Sequence, residues 1–148
     1  MSAARTWKEE HGTVGFTVHA DPAAQLIRMR IWGVWDDGLA ERYEASMLSA
    51  LSMIPEGTKW NVLVDIINFP PQKPSVQEHH ANCMRHSTEK IRRAANLVSS
   101  SLSQMQIRRL SEESAVPAYS FFTSEADAVR WLKASETDST REGRRSAR

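Results

Sequence analysis

Histidine and cysteine crowd one short stretch, with His79, His80, Cys83 and His86 all within eight residues. That stretch is predicted to be a helix. His79, Cys83 and His86 are spaced by four and three, so they share a helical face. A metal can bridge positions i and i+4, but i and i+7 lie about 10.5 Å apart along the axis. Zinc holds its ligands at about 2.0–2.3 Å, so one straight helix cannot supply all three. The sequence has no second cysteine and no H-E-x-x-H motif. The stretch therefore reads as a polar helix face with Cys83 and Met84 turned to the core, and no metal site is expected.

Nucleophile and phosphate chemistry have no signature here. There is no G-x-S-x-G, and Cys83 falls inside a helix rather than at an N-terminus that would lower its pKa. The six glycines never form G-x-G-x-x-G or a Walker A sequence. No carboxylate pair stands out for acid/base work. Asp65 ends a predicted central strand, where open α/β sheets bind ligands. It reads more simply as an acid that holds the following loop. No catalytic residue and no cofactor are expected.

Two surfaces remain. From Arg85 to Leu110 the chain carries Arg85, Lys90, Arg92, Arg93, Arg108 and Arg109 against Glu89 alone. That is either a solvated face or a basic patch for anionic headgroups or an acidic partner. Nucleic acid is not expected, because no aromatic residue interleaves with these cations. Five tryptophans in 148 residues are the second clue. Trp32 and Trp35 end one predicted strand, and Phe69 follows another, the one that Asp65 ends. If the two strands are parallel, these four residues meet at one sheet edge and can wall an apolar ligand pocket.

The elements that must position these residues alternate. Gly15 to His19 and Leu26 to Trp35 read as strands of an opening hairpin. Ile27, Met29, Ile31 and Trp35 share one face. Asp36-Asp37 caps a helix through Met53. Trp60 to Ile67 is an apolar central strand. Ser75 is placed as the N-cap of a helix to about Lys90, with Glu78 as its capping-box partner. A strand over Arg93 to Ser99, a helix over Leu102 to Glu113, a strand over Tyr119 to Thr123 and a last helix through Leu132 follow. The order ββαβαβαβα predicts an α/β fold with a mixed, mostly parallel sheet, an N-terminal hairpin and about four helices. Residues 1–11 are expected to be flexible, 12–134 to form the domain, and 135–148 to be a disordered polar tail.

Composition agrees with a single globular domain: 41% apolar, 25% charged and a formal charge of +1. The lone Cys83 excludes an intrachain disulfide and fits a reducing, cytoplasmic setting. No apolar run approaches the roughly 20 residues of a membrane span.

Three segments carry a resemblance. Leu63-Val64-Asp65, Ile91-Arg92-Arg93-Ala94-Ala95, and Phe121-Phe122-Thr123-Ser124-Glu125 running on to Trp131-Leu132 resemble the bacterial SpoIIAA-like proteins. These are relatives of STAS domains, with similarity to lipid-binding CRAL-TRIO domains. The resemblance covers roughly Gly12 to Ala134 and implies a non-enzymatic regulatory or lipid-binding domain. One role is binding a nonpolar ligand or associating peripherally with membrane. Another is a STAS-type protein-interaction module, like an anti-sigma-factor antagonist. The family's phosphorylated serine would fall near Ser75, but the surrounding Asp-Ser-Ser-Gly motif is absent. An edge strand of the hairpin leaves monomer and homodimer both open.

Overall fold

The structure, a computed structural model, describes residues 3–99, Met105, Arg108, Arg109 and 118–134. Six strands form one sheet in sequential order: β1 (Arg5–His11), β2 (Val14–Asp21), β3 (Leu26–Trp32), β4 (Trp60–Asp65), β5 (Ile91–Leu97) and β6 (Tyr119–Phe122). β1, β2 and β3 are an antiparallel meander, and β3 to β6 run parallel. The helices are α1 (Asp37–Ser52), α2 (Pro74–Ser87) and α3 (Glu125–Lys133). The mixed, mostly parallel α/β architecture expected from the alternation of patterns is present.

The N-terminus corrects the expectation. Residues 5–11, expected to be flexible, form a strand that pairs with β2 along its whole length, Arg5 opposite Ala20 and His11 opposite Val14. Gly12, at φ +67°, makes the tight turn that joins them. Trp7 packs against the core, and Glu9 receives Arg42 of α1 at 2.6 Å. One apolar residue in seven was too weak a pattern to read, yet an edge strand needs little more.

Two helix and strand boundaries also shift. β3 stops at Trp32, so Trp35 lies in the loop beyond it. α2 starts at Pro74 rather than after Ser75, because proline's fixed φ suits the first helical position. Lys73 is then the cap residue and gives no side-chain cap. Ser75 lies inside the first turn and donates to Asp37 Oδ1, while Glu78 pairs with Arg85. The capping box therefore does not form. Asp36 does cap α1, accepting from the Leu39 amide at 2.8 Å. Of the helix expected over Leu102 to Glu113, only Met105, Arg108 and Arg109 are described, all helical. The rest of it, and the expected polar tail, lie outside the described residues.

The two faces of the sheet are covered differently. Alternation sends Phe16, Val18, Ile27, Met29, Ile31, Val62 and Val64 to one side, under α1 and α2. Leu63, Ala95 and Leu97 point to the other, under Ala128, Trp131 and Leu132 of α3. α3 rests directly on β5, whereas α2 packs chiefly against α1.

Candidate functional site

Because α2 leans on α1, a cavity of about 70 Å³ remains between these helices and the middle of the sheet. The sheet supplies Met29, Ile31, Val62, Val64, Ala94 and Asn96. The helices supply Tyr43, Met47, His80, Cys83, Met84 and Ser87. The last four sit at i, i+3, i+4 and i+7, so they form the inner stripe of α2. Three thioethers and a thiol make the lining soft and polarizable.

Its polar groups are few, and most are satisfied. Tyr43 donates its hydroxyl to the Met29 sulfur at 3.5 Å. Ser87 donates to the Met84 carbonyl at 2.7 Å, and Asn96 to the Ser120 carbonyl at 3.3 Å. His80 is the exception: it is 4% exposed, and its Nε2 has no hydrogen-bond partner. Its ring is held among Trp35, Tyr43 and Phe69, with centroids 5.0, 4.9 and 5.3 Å away. Burial pushes the His80 pKa down to about 4, so the imidazole is neutral near pH 7. Burial likewise pushes the Cys83 thiol up to about 12, leaving a neutral, unreactive group.

The four residues expected to wall a pocket at the sheet edge are divided. Trp35 and Phe69 meet edge to face at 5.3 Å and join His80 beside the cavity. Trp32 points to the opposite face. Its ring lies on Gly15, where a Cβ would come within 2.6 Å of it, and Arg30 stacks above at 4.6 Å. Asp65 accepts from the Ile67 amide at 3.0 Å and so closes the turn after β4. Gln72, not singled out in the sequence, ties the edge together. It accepts from the Trp35 amide and donates to the carbonyls of Gly33 and Pro70. A lone glutamine in a proline-rich loop carries no pattern that marks it as buried.

The six cations do not gather into one surface. Lys90 donates to the Ile54 carbonyl at 3.2 Å, just past the end of α1. A bulge in β5, where Ile91 and Ala94 face Trp60 and Val62, turns Arg93 under α3. Buried Arg93 donates to the Trp131, Leu132 and Ala134 carbonyls, and Arg92 to Leu132 at 2.8 Å. These cations complete the negative ends of helices. Arg85 pairs with Glu78 at 2.8 Å. Arg108 lies 5.4 Å over Phe121, and Arg109 donates to Gln77.

The remaining histidines also have local partners. His79 meets Glu44 of α1 at 2.6 Å, and Asn82 donates to the same carboxylate. Desolvation works to raise the Glu44 pKa, but the hydrogen bonds from His79 and Asn82 hold it below the ordinary value. His86 Nδ1 lies 2.9 Å from the Asn82 carbonyl. No cluster of three His, Cys, Asp or Glu able to hold a metal occurs among the described residues. Ser75, the candidate phosphosite, is exposed at the start of α2. Its bond to Asp37, joined by Lys73 at 3.3 Å, keeps that carboxylate below its usual range.

No protein-family model and no curated protein matches the sequence. Solved structures do match in shape. A DUF3478-family protein from Shewanella loihica, described as having a SpoIIAA-like fold, superposes with a TM-score of 0.61 at 16% identity. The match spans 88% of this chain and 94% of that one. An anti-sigma factor antagonist from Mycobacterium paratuberculosis matches with a TM-score of 0.53 at 11% identity, over 89% of this chain and 96% of that one. A sequential β-meander running into parallel β-α units, matched over nearly the whole length of both structures, is the SpoIIAA-like fold, and this chain has it.

Proposed function

We infer that the protein is a binding domain, not a catalyst, and that it holds a small, largely apolar molecule between the sheet and helices α1 and α2. The cavity is the observation that supports this reading. Native cores close voids of this size, since each unfilled methyl-sized space costs about 1 kcal/mol. A retained space lined by Met29, Met47, Met84 and apolar strand residues suits an adaptable ligand site. The groups nearest to nucleophilic chemistry, Cys83 and His80, are buried and neutral. The test is direct. With methyl-labelled methionine, added benzene is expected to shift the signals of Met29, Met47 and Met84 selectively, and an Ala94→Leu change to abolish the shifts. Absence of any selective shift would reject the reading.

A regulatory protein-interaction role is the second reading, favoured by the likeness to an anti-sigma factor antagonist. It places the partner on the exposed Ser75 edge of α2. A Ser75→Asp change should then weaken capture of that partner from the native host, and unaltered capture would leave Ser75 structural. Membrane association gains less support. Arg92, Arg93 and Lys90 are engaged at helix ends. No described helix is long and apolar enough to cross a bilayer.

A further inference from the structure

β1 is an edge of the sheet, paired with β2 on one side and with no described strand on the other. We propose that this open edge pairs with β1 of a second copy of the chain, antiparallel about a two-fold axis at Trp7, so that two six-stranded sheets join into one. Native edges are guarded by short strands, bulges, proline or charge. β1 runs for seven residues with no proline and no break in register, so charge is the guard it has left. Those charges fit a copy of themselves.

The main chain decides which residues can bond across the edge. A Cβ placed on Gly15 would meet the Glu9 carbonyl oxygen, so that oxygen points toward β2. Antiparallel pairs alternate, so Arg5, Trp7 and Glu9 turn their N–H and C=O groups to β2, and Thr6 and Lys8 turn theirs outward. With the axis at Trp7, Thr6 lies opposite the partner's Lys8, and these outward groups bond to each other. Trp7 then meets the partner's Trp7, and Arg5 meets the partner's Glu9, at the closer Cα spacing of about 4.5 Å that lacks main-chain bonds. All three side chains share the α1 side of the sheet, because they stand opposite Ala20, Val18 and Phe16. Arg5 is exposed and lies 4.8 Å over the Trp7 ring, with no carboxylate partner among the described residues. Glu9 already meets Arg42 and His11, and a carboxylate has room for about four bonds. Moving the axis to Lys8 or to Glu9 would set each of these against its own copy, and moving it to Thr6 would lose the pairing of Arg5 with Glu9. Charge therefore permits one register and opposes its neighbours.

Sedimentation velocity of the full chain, from micromolar to millimolar concentration, should show a 16.7 kDa species giving way to one of twice that mass. Arg5→Glu and Glu9→Arg, each alone, set like charges opposite each other twice across the axis, and each should weaken the dimer about ten-fold. An equimolar mixture of the two variants should recover it. In the mixed pair the two altered positions face each other with opposite charge, and the unaltered Arg5 faces the unaltered Glu9. Should Glu9→Arg fail to fold for want of its tie to Arg42, Lys8→Pro decides. It removes an outward N–H, leaves the bonds to β2 in place and should yield monomer alone. A monomer at every concentration overturns the proposal. So does a dimer indifferent to either charge change, a mixture no stronger than its components, or a Lys8→Pro chain that still dimerises.

Discussion

The two faces of the sheet solve the same problem differently. Under α3, Trp131 lies 2% exposed between Phe122, with centroids 5.6 Å apart, and the Arg93 guanidinium at 6.0 Å. Arg93 in turn holds the last carbonyls of the helix. Apolar packing and a charged clamp converge on one short element. Under α1 and α2, the helices pack on each other and leave part of the sheet uncovered. α1 is tied to the strands by Arg42 with Glu9, but the polar tie of α2, His79 and Asn82 to Glu44, runs to α1 rather than to the sheet. The difference teaches where the fold spends its complementarity: α3 is fastened to the strands directly, and α2 chiefly to α1.

Trp131→Ala is expected to produce the largest effect. Removing a fully buried indole from a tight site typically costs about 3–5 kcal/mol. Met47→Ala, beside the existing cavity, should cost nearer 2 kcal/mol, the low end for such a truncation, because fewer neighbours touch the lost atoms. Chemical denaturation of both variants gives the comparison. A Met47 change that costs more than the Trp131 change would reverse the assignment of tight and loose faces.

Acid should then distinguish the faces, because only one buries a neutral base. The folded His80 pKa of about 4 lies well below its ordinary 6.5. Between these values the unfolded chain takes up a proton that the folded chain refuses. Stability is therefore full above pH 6.5 and falls as the pH drops toward 4, by about 3 kcal/mol in all. Arg93, on the other face, keeps its charge throughout this range. Hydrogen-exchange protection factors, which correct for the intrinsic slowing of exchange in acid, should fall in α2 before α3 as the pH decreases, and His80→Leu should flatten the slope. Equal loss of protection in the two helices would show that the histidine does not report on one face alone.

How much of this was legible in the sequence depends on how local the cause is. The β-branched run at Trp60 to Asp65 and the Ala-x-x-Trp-Leu ending at Leu132 announced β4 and α3 because each period is written within a few residues. Asp36 announced the start of α1 for the same reason. The site was less legible. The structure brings Trp35 and Phe69 together, as their places just beyond two parallel strands imply, although neither lines the cavity. Trp32 was drawn in with them, although alternation already sent it to the other face with Arg30. His80 was read as part of an outer polar stripe. Its inward position follows from the phase of α2 against α1, a tertiary fact carried by contacts such as His79 with Glu44. The cations Arg92 and Arg93 looked like a surface because their partners are main-chain carbonyls about 40 residues away, which no side-chain pattern reveals.

The smallest predicted effect isolates the two faces within one strand. Ala94 and Ala95 are neighbours on β5 and point to opposite sides, Ala94 into the cavity and Ala95, fully buried, beneath α3. The same added side chain therefore meets space at one position and packed atoms at the next. Ala95→Leu should overpack the α3 face and cost about 1–3 kcal/mol. Ala94→Leu should be nearly neutral, within about 0.5 kcal/mol, because the apolar area it buries offsets the lost freedom of its side chain. Strand propensity and sequence context are almost the same for the two, so their difference reads packing alone. A penalty at Ala94 as large as that at Ala95 would mean that α2 closes on the sheet in solution, and the contrast between a fastened face and a loose one would not survive it.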